Sequence, residues 1–164
     1  MDHNGQTKTR RHRVELRYIG MFLALIVGVP SLAARAQKID IRADLTKARA
    51  TWQATRPSAY EFTIEVRCFC LGITKTAPSF QVVGDESSPV RALASDSERF
   101  YSSYNTIEKL FAAIEQSVSR GQYKSSVQFD EKFGFPAKAD LDPRHEVIDE
   151  ELYLRVIGFR VIEK

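Results

Sequence analysis

Apolar residues recur along this chain at two spacings, and each predicts an element. Ile41, Leu45, Ala48 and Trp52 stand at offsets of zero, four, seven and eleven, one face of a helix. Asp40 is placed to cap that helix, and Arg56-Pro57 ends it, because the residue before a proline avoids helical backbone. Trp52 is then a core residue at the end of the helix. The period changes at once. Tyr60, Phe62, Ile64, Val66 and Cys68 alternate with Glu61, Thr63, Glu65 and Arg67. Such alternation predicts a strand with one covered and one wet face, the mark of an antiparallel sheet. Phe80 to Gly84 and Val90 to Ala94 read as two shorter strands, with Asp85-Glu86-Ser87-Ser88-Pro89 as the turn between them.

The helical period returns in Ile107, Leu110, Phe111, Ile114 and Val118, capped by Asn105 or Thr106 and closed by Gly121. Glu108 stands three residues after Asn105, the spacing of a capping box. Tyr101 and Tyr104 are expected to pack beneath this helix. Ser125 to Asp130, Ala137 to Leu141 and Leu152 to Ile162 follow as strands. In the last, covered parity changes from Leu154 and Val156 to Ile157, Phe159 and Val161, so a β-bulge is expected near Ile157-Gly158. The expected fold is α+β, in the order α-β-β-β-α-β-β-β. Its single antiparallel sheet has about five or six strands and carries two helices on one face.

The pattern before residue 37 is of a different kind. Lys8, Arg10, Arg11, Arg13 and Arg17 precede an apolar run from Ile19 to Val29, and Ala34-Arg35-Ala36 follows. Basic, apolar and small-residue parts in that order are those of a secretory signal, with the cut between Ala36 and Gln37. Residues 1–36 are therefore expected to be a signal peptide, and 37–164 a single domain in the periplasm or outside the cell. The alternative is an uncleaved segment anchoring the chain in the inner membrane, which would be its only contact with a bilayer. Charge supports the division: the 24 Lys and Arg nearly balance the 21 Asp and Glu, and six of the basic residues lie in the first 36. The remaining body has no electrostatic footprint for nucleic acid.

Trp52, Tyr60, Cys68-Phe69-Cys70, Thr106-Ile107 with Leu110-Phe111, Phe129-Asp130, Gly134-Phe135-Pro136 and Asp149-Glu150-Glu151 occur in that order. Together they resemble a family of exported bacterial proteins known only as a domain of unknown function. The resemblance implies secretion and an α+β fold, and no activity. It departs between the second and third strands, where a plain glycine turn is expected and Asp85 to Pro89 stand instead.

Candidate chemistry is sparse. Of three histidines only His145 lies beyond the signal, so a site of several histidines is excluded and any nucleophile–histidine arrangement would depend on that residue. Flanked by Arg144 and Glu146, it reads as a solvated side chain. Asp140, Asp142, Glu146, Asp149, Glu150 and Glu151 could offer oxygens to calcium, but they lack the regular loop spacing of such sites and read as a solvated turn. No catalytic, cofactor-binding or metal residue is therefore assigned, and no cofactor is expected. The expected role is non-catalytic: binding an envelope protein or a small ligand. The alternative is thiol-redox or soft-metal handling through Cys68 and Cys70. In an oxidising compartment these two cysteines are the minimum for one bridge, and a local disulfide is the expectation for them.

Overall fold

The computed structural model describes residues 40–69 and 77–163. The expected signal segment, its cut between Ala36 and Gln37, and Cys70 lie outside the described residues. The first helix, α1 (Ile41–Thr55), buries Ile41, Leu45, Ala48 and Trp52, and Asp40 caps it by accepting a hydrogen bond from the Arg42 N–H. The first strand, β1 (Ala59–Cys68), keeps its alternation, with Tyr60, Phe62, Ile64 and Val66 all at 1% exposure or less.

The next hairpin differs from expectation. Strand β2 (Ser79–Val83) pairs with β3 (Glu86–Pro89), so the residues expected to form the turn are themselves a strand. The turn is the two residues Gly84-Asp85, with Gly84 at φ +59°. A left-handed glycine in the first central position suits a two-residue hairpin, because its twist matches that of the strands. Pro89 is tolerated because β3 is an edge strand, where a missing N–H breaks no inner ladder. Val90 to Ala94 form no strand and lead into a short helix, α2 (Ser95–Tyr101). That helix carries too short an apolar stripe to be read from its period. Tyr101 is its buried anchor, in contact with Phe80 and Phe100.

Helix α3 (Ile107–Arg120) buries Ile107, Leu110, Phe111, Ile114 and Val118 as its spacing requires. Thr106, not Asn105, is the cap, accepting from the Lys109 N–H. Glu108 is therefore one position too early for a capping box. The chain then forms β4 (Ser126–Phe129), β5 (Pro136–Leu141) and β6 (Leu152–Val161). Among the described residues the six strands make one antiparallel sheet in the order β3-β2-β1-β6-β5-β4. Two three-stranded meanders meet where the first strand pairs with the last. The register along that seam shifts between Thr63, opposite Gly158, and Ile64, opposite Val156. Ile157 is the extra residue of the expected bulge.

Helix α1 packs on α3 and β4, and α3 on β5. The buried residues of both helices and of the strands' covered parity form one hydrophobic core. The opposite face of the sheet has Glu61, Glu65, Arg67, Gln81, Lys138, Asp140, Tyr153, Arg155 and Arg160 on its parity, and among the described residues neither α1 nor α3 packs there. The fold is α+β, as expected, with one more helix than the pattern predicted.

Candidate functional site

Most residues that stood out in the sequence are used by the fold itself. Trp52 packs edge-on against Tyr60 at 5.4 Å and near Phe135 and Phe159, and Phe135 stacks on Phe159 at 4.6 Å. The indole needs a partner for its N–H in this buried place. It donates from Nε1 to Glu108 Oε1 at 2.8 Å, and Arg56 Nε lies 3.1 Å from the same oxygen. Arg56 also reaches the hairpin turn, donating to the Gly84 carbonyl and pairing with Asp85 at 3.0 Å. The Tyr60 hydroxyl accepts from the Ile107 N–H at 3.3 Å and makes a long contact of 3.5 Å with Glu108 Oε2. Burial, reinforced by the Glu108 carboxylate, pushes the Tyr60 phenol well above its ordinary value. Glu108 thus joins α1, β1 and α3, with Oε1 taking both the indole and the guanidinium.

The turn at Phe129-Asp130 to Pro136 is structural in the same way. The Asp130 carboxylate accepts from the N–H groups of Lys132 and Phe133 at 3.0 and 2.7 Å. Gly134 has φ +77°, and a β-carbon there would meet the Ala48 carbonyl at 2.6 Å and the Thr51 Cβ at 2.8 Å. Only glycine lets this turn lie against α1.

The acidic loop does not converge. Glu150, with its side chain 8% exposed, is held by Arg144 in a two-point fork, Nε to Oε1 at 2.9 Å and Nη2 to Oε2 at 2.8 Å, and Arg120 lies at 3.8 Å. The Arg144 hydrogen bond holds Glu150 below the usual carboxylate range, against the opposing effect of desolvation. Asp140 pairs with Lys138 at 2.7 Å. Among the described residues no group of three or more His, Cys, Asp or Glu is placed to hold a metal ion. His145 rests its ring against Tyr123 at 4.7 Å, edge to face.

A different set of residues lines an open cleft. On the open face, at the end where β1 finishes and β6 begins, lies a cleft of about 720 Å³. Arg67, Lys124 and Lys138 supply its cations, and Asp140, Asp142 and Glu151 its carboxylates. Cys68, Phe69 and Tyr153 lie between them, Phe69 being 75% exposed and Tyr153 42%. Pairing of β1 with β6 and of β6 with β5 sets Arg67, Tyr153 and Asp140 directly opposite one another in a row across three strands. Two groups singled out in the sequence, the first cysteine and the last acid of Asp149-Glu150-Glu151, therefore meet in one cleft. Among the described residues no cysteine is free. Lys124, Lys138 and Tyr153 went unnoticed in the sequence. Arg67, Lys138 and Tyr153 lie on the wet parity of their strands, which does not say which strands adjoin, and Lys124 lies in the turn before β4.

The family of unknown function DUF6174 matches residues 44–161. The chain belongs to that family. The match runs from the first turn of α1 to the last residue of β6, so it covers the whole sheet, the Glu108 junction and the open cleft. No curated protein and no solved structure matches this DUF6174 chain. Among the described residues no helix is long and apolar enough to cross a membrane.

Proposed function

We propose that this DUF6174 protein is exported, is cut between Ala36 and Gln37, and serves in the periplasm as a non-catalytic binding module whose working surface is the open face of its sheet. The observation that carries the reading is the asymmetry of the sheet. One face is sealed by α1 and α3 over an aromatic core, while the other presents charged side chains and the cleft beside Tyr153. Polar side chains on a rigid sheet are held in fixed positions, which favours recognition. Glu108, which takes the Trp52 indole and the Arg56 guanidinium, serves to join elements of the fold.

A second reading, thiol exchange through a bridge between Cys68 and Cys70, is favoured by the place of Cys68 in the cleft wall. The two readings separate in one experiment. The exported protein is captured from the envelope after mild cross-linking, beside an Arg67→Glu/Tyr153→Ala variant, a Cys68→Ser/Cys70→Ser variant and a Gln116→Ala control on the exposed side of α3. Loss of the captured envelope component with the first variant only supports the binding module. Loss with the cysteine variant alone supports exchange, and capture unchanged by the open-face variant overturns the assignment of the surface.

A further inference from the structure

We infer that the cleft takes a short zwitterionic peptide of about three residues, laid across β1, β6 and β5 with its carboxylate toward Arg67 and its amine toward Asp140, Asp142 and Glu151. The inference deepens the reading of the open face as a binding surface and rests on it.

Charge narrows the ligand first. A simple anion entering the cleft meets Asp140, Asp142 and Glu151, and a simple cation meets Arg67, Lys124 and Lys138. A ligand with both signs, held apart, satisfies both sets. Lys138 already pairs with Asp140 at 2.7 Å, so a ligand amine at that end shares Asp140 with Lys138 and relies on Asp142 and Glu151; the other groups have capacity to spare. Among the described residues Asp142, Glu151 and Lys124 form no ion pair, and Lys124 only rests its ammonium 5.1 Å from the Tyr123 ring. Arg67 is held only by the neighbouring Glu65 on its own strand, at 3.4 Å and largely in solvent, a weak contact to displace.

Spacing sets the length. Arg67, Tyr153 and Asp140 face one another on adjacent strands. Neighbouring strands lie about 4.8 Å apart, so the cation and the carboxylate at the ends of the row are separated by roughly 10 Å. An extended chain rises about 3.3 Å per residue, so three residues bring opposite termini to that separation. Tyr153 then lies under the middle of the peptide, where an apolar or aromatic side chain would cover its exposed ring. Phe69 offers a second apolar surface at the β1 end.

The test uses isotope-labelled protein recovered from the envelope and the tripeptide alanyl-phenylalanyl-alanine as probe. The peptide is added with free termini and, separately, with its ends acetylated and amidated. The free-ended peptide is expected to shift the amide resonances of Arg67, Tyr153 and Asp140. Capping both ends should weaken binding by about tenfold or more. Arg67→Glu and Tyr153→Ala should each weaken the free-ended peptide, whereas Gln116→Ala should not. Equal binding of the capped peptide, no shift at these amides, or the same shifts produced by inorganic phosphate or by a neutral trisaccharide would overturn the inference. If the peptide fails while the envelope capture still depends on Arg67 and Tyr153, only the ligand class is lost. If both fail, the open face is not the binding surface.

Discussion

Phe111 illustrates what a single side chain contributes here. It is fully buried, stacks near Phe129 at 6.2 Å, and carries the Arg49 guanidinium 4.9 Å above its ring. Arg49 in turn reaches Glu115 at 2.8 Å, so the ring supports an ion pair between α1 and α3 as well as the core. Phe111→Ala is expected to cost about 3–5 kcal/mol, as other large-to-small changes in cores do. Gln81→Ala, on the open parity of β2, should change stability by at most about 0.5 kcal/mol. Chemical denaturation of both variants checks the pair, and equal losses would reverse the assignment of the faces. Parity alone identified the covered residues of β1 and α3, because a covered face must be apolar at every turn of its period. The Trp52–Glu108 hydrogen bond was not legible. Its partners are 56 positions apart, and Glu108 alone suggested a capping box. A polar side chain's partner is set by tertiary geometry, which local spacing does not encode.

Elements were legible where they are long and carry one period, and lost where a turn or an anchor is short. The β2–β3 hairpin was misread because two residues suffice to turn it, and its second strand, Glu86-Ser87-Ser88-Pro89, is a polar edge that carries no apolar alternation. Two glycines separate the demands of a turn. Gly84 and Gly134 both have left-handed backbone, but a β-carbon at Gly84 meets nothing within 4 Å, whereas at Gly134 it strikes α1. Gly84→Ala should therefore cost only the backbone term of about 1–2 kcal/mol. Gly134→Ala should cost more, because the turn must also withdraw from α1. Thermal midpoints that fall equally would mean that the turn yields without loss.

The loop from Arg144 to Glu150 depends on pH for a different reason. Glu150 has a carboxyl pKa lowered from 4.5 in the folded state. Its contribution is thus complete above that ordinary value and fades as pH falls through the lowered one. Wild type should melt above Glu150→Gln at pH 6, and the gap between their midpoints should close as the pH falls below about 4.5. A gap that persisted under strong acid would show that shape, not charge, holds the loop.

At the scale of the whole molecule, the order of elements could be read, but the strand neighbours could not. The first and last strands lie side by side at the centre of the sheet, and only that pairing brings Arg67, Tyr153 and Asp140 into one row. The proposed compartment, by contrast, rests on the pattern of the first 36 residues, and it sets the chemistry expected of Cys68-Phe69-Cys70. In a regular strand, residues two apart have Cα atoms about 6.6 Å apart, at the upper edge of the usual disulfide range of about 4.4–6.8 Å. A bridge therefore needs the chain to leave strand geometry between the two cysteines. Strand β1 ends at Cys68, and Phe69 lies outside the ladder with its ring in solvent, so the backbone is free to turn there. So small a loop contributes only about 1.6 kcal/mol by chain entropy. A bridge of that kind shapes the wall of the cleft more than it stabilises the fold. Intact mass spectrometry of protein taken from the envelope tests compartment and bridge together. The chain should begin at Gln37 and gain about 2 Da on reduction, and under denaturing conditions no thiol should react before reduction. Cys68→Ser should lose the mass change and cost no more than about 1.6 kcal/mol of stability, the chain entropy at stake. A full-length species held in the membrane would refute the cut, and two alkylatable thiols in freshly recovered protein would refute the bridge.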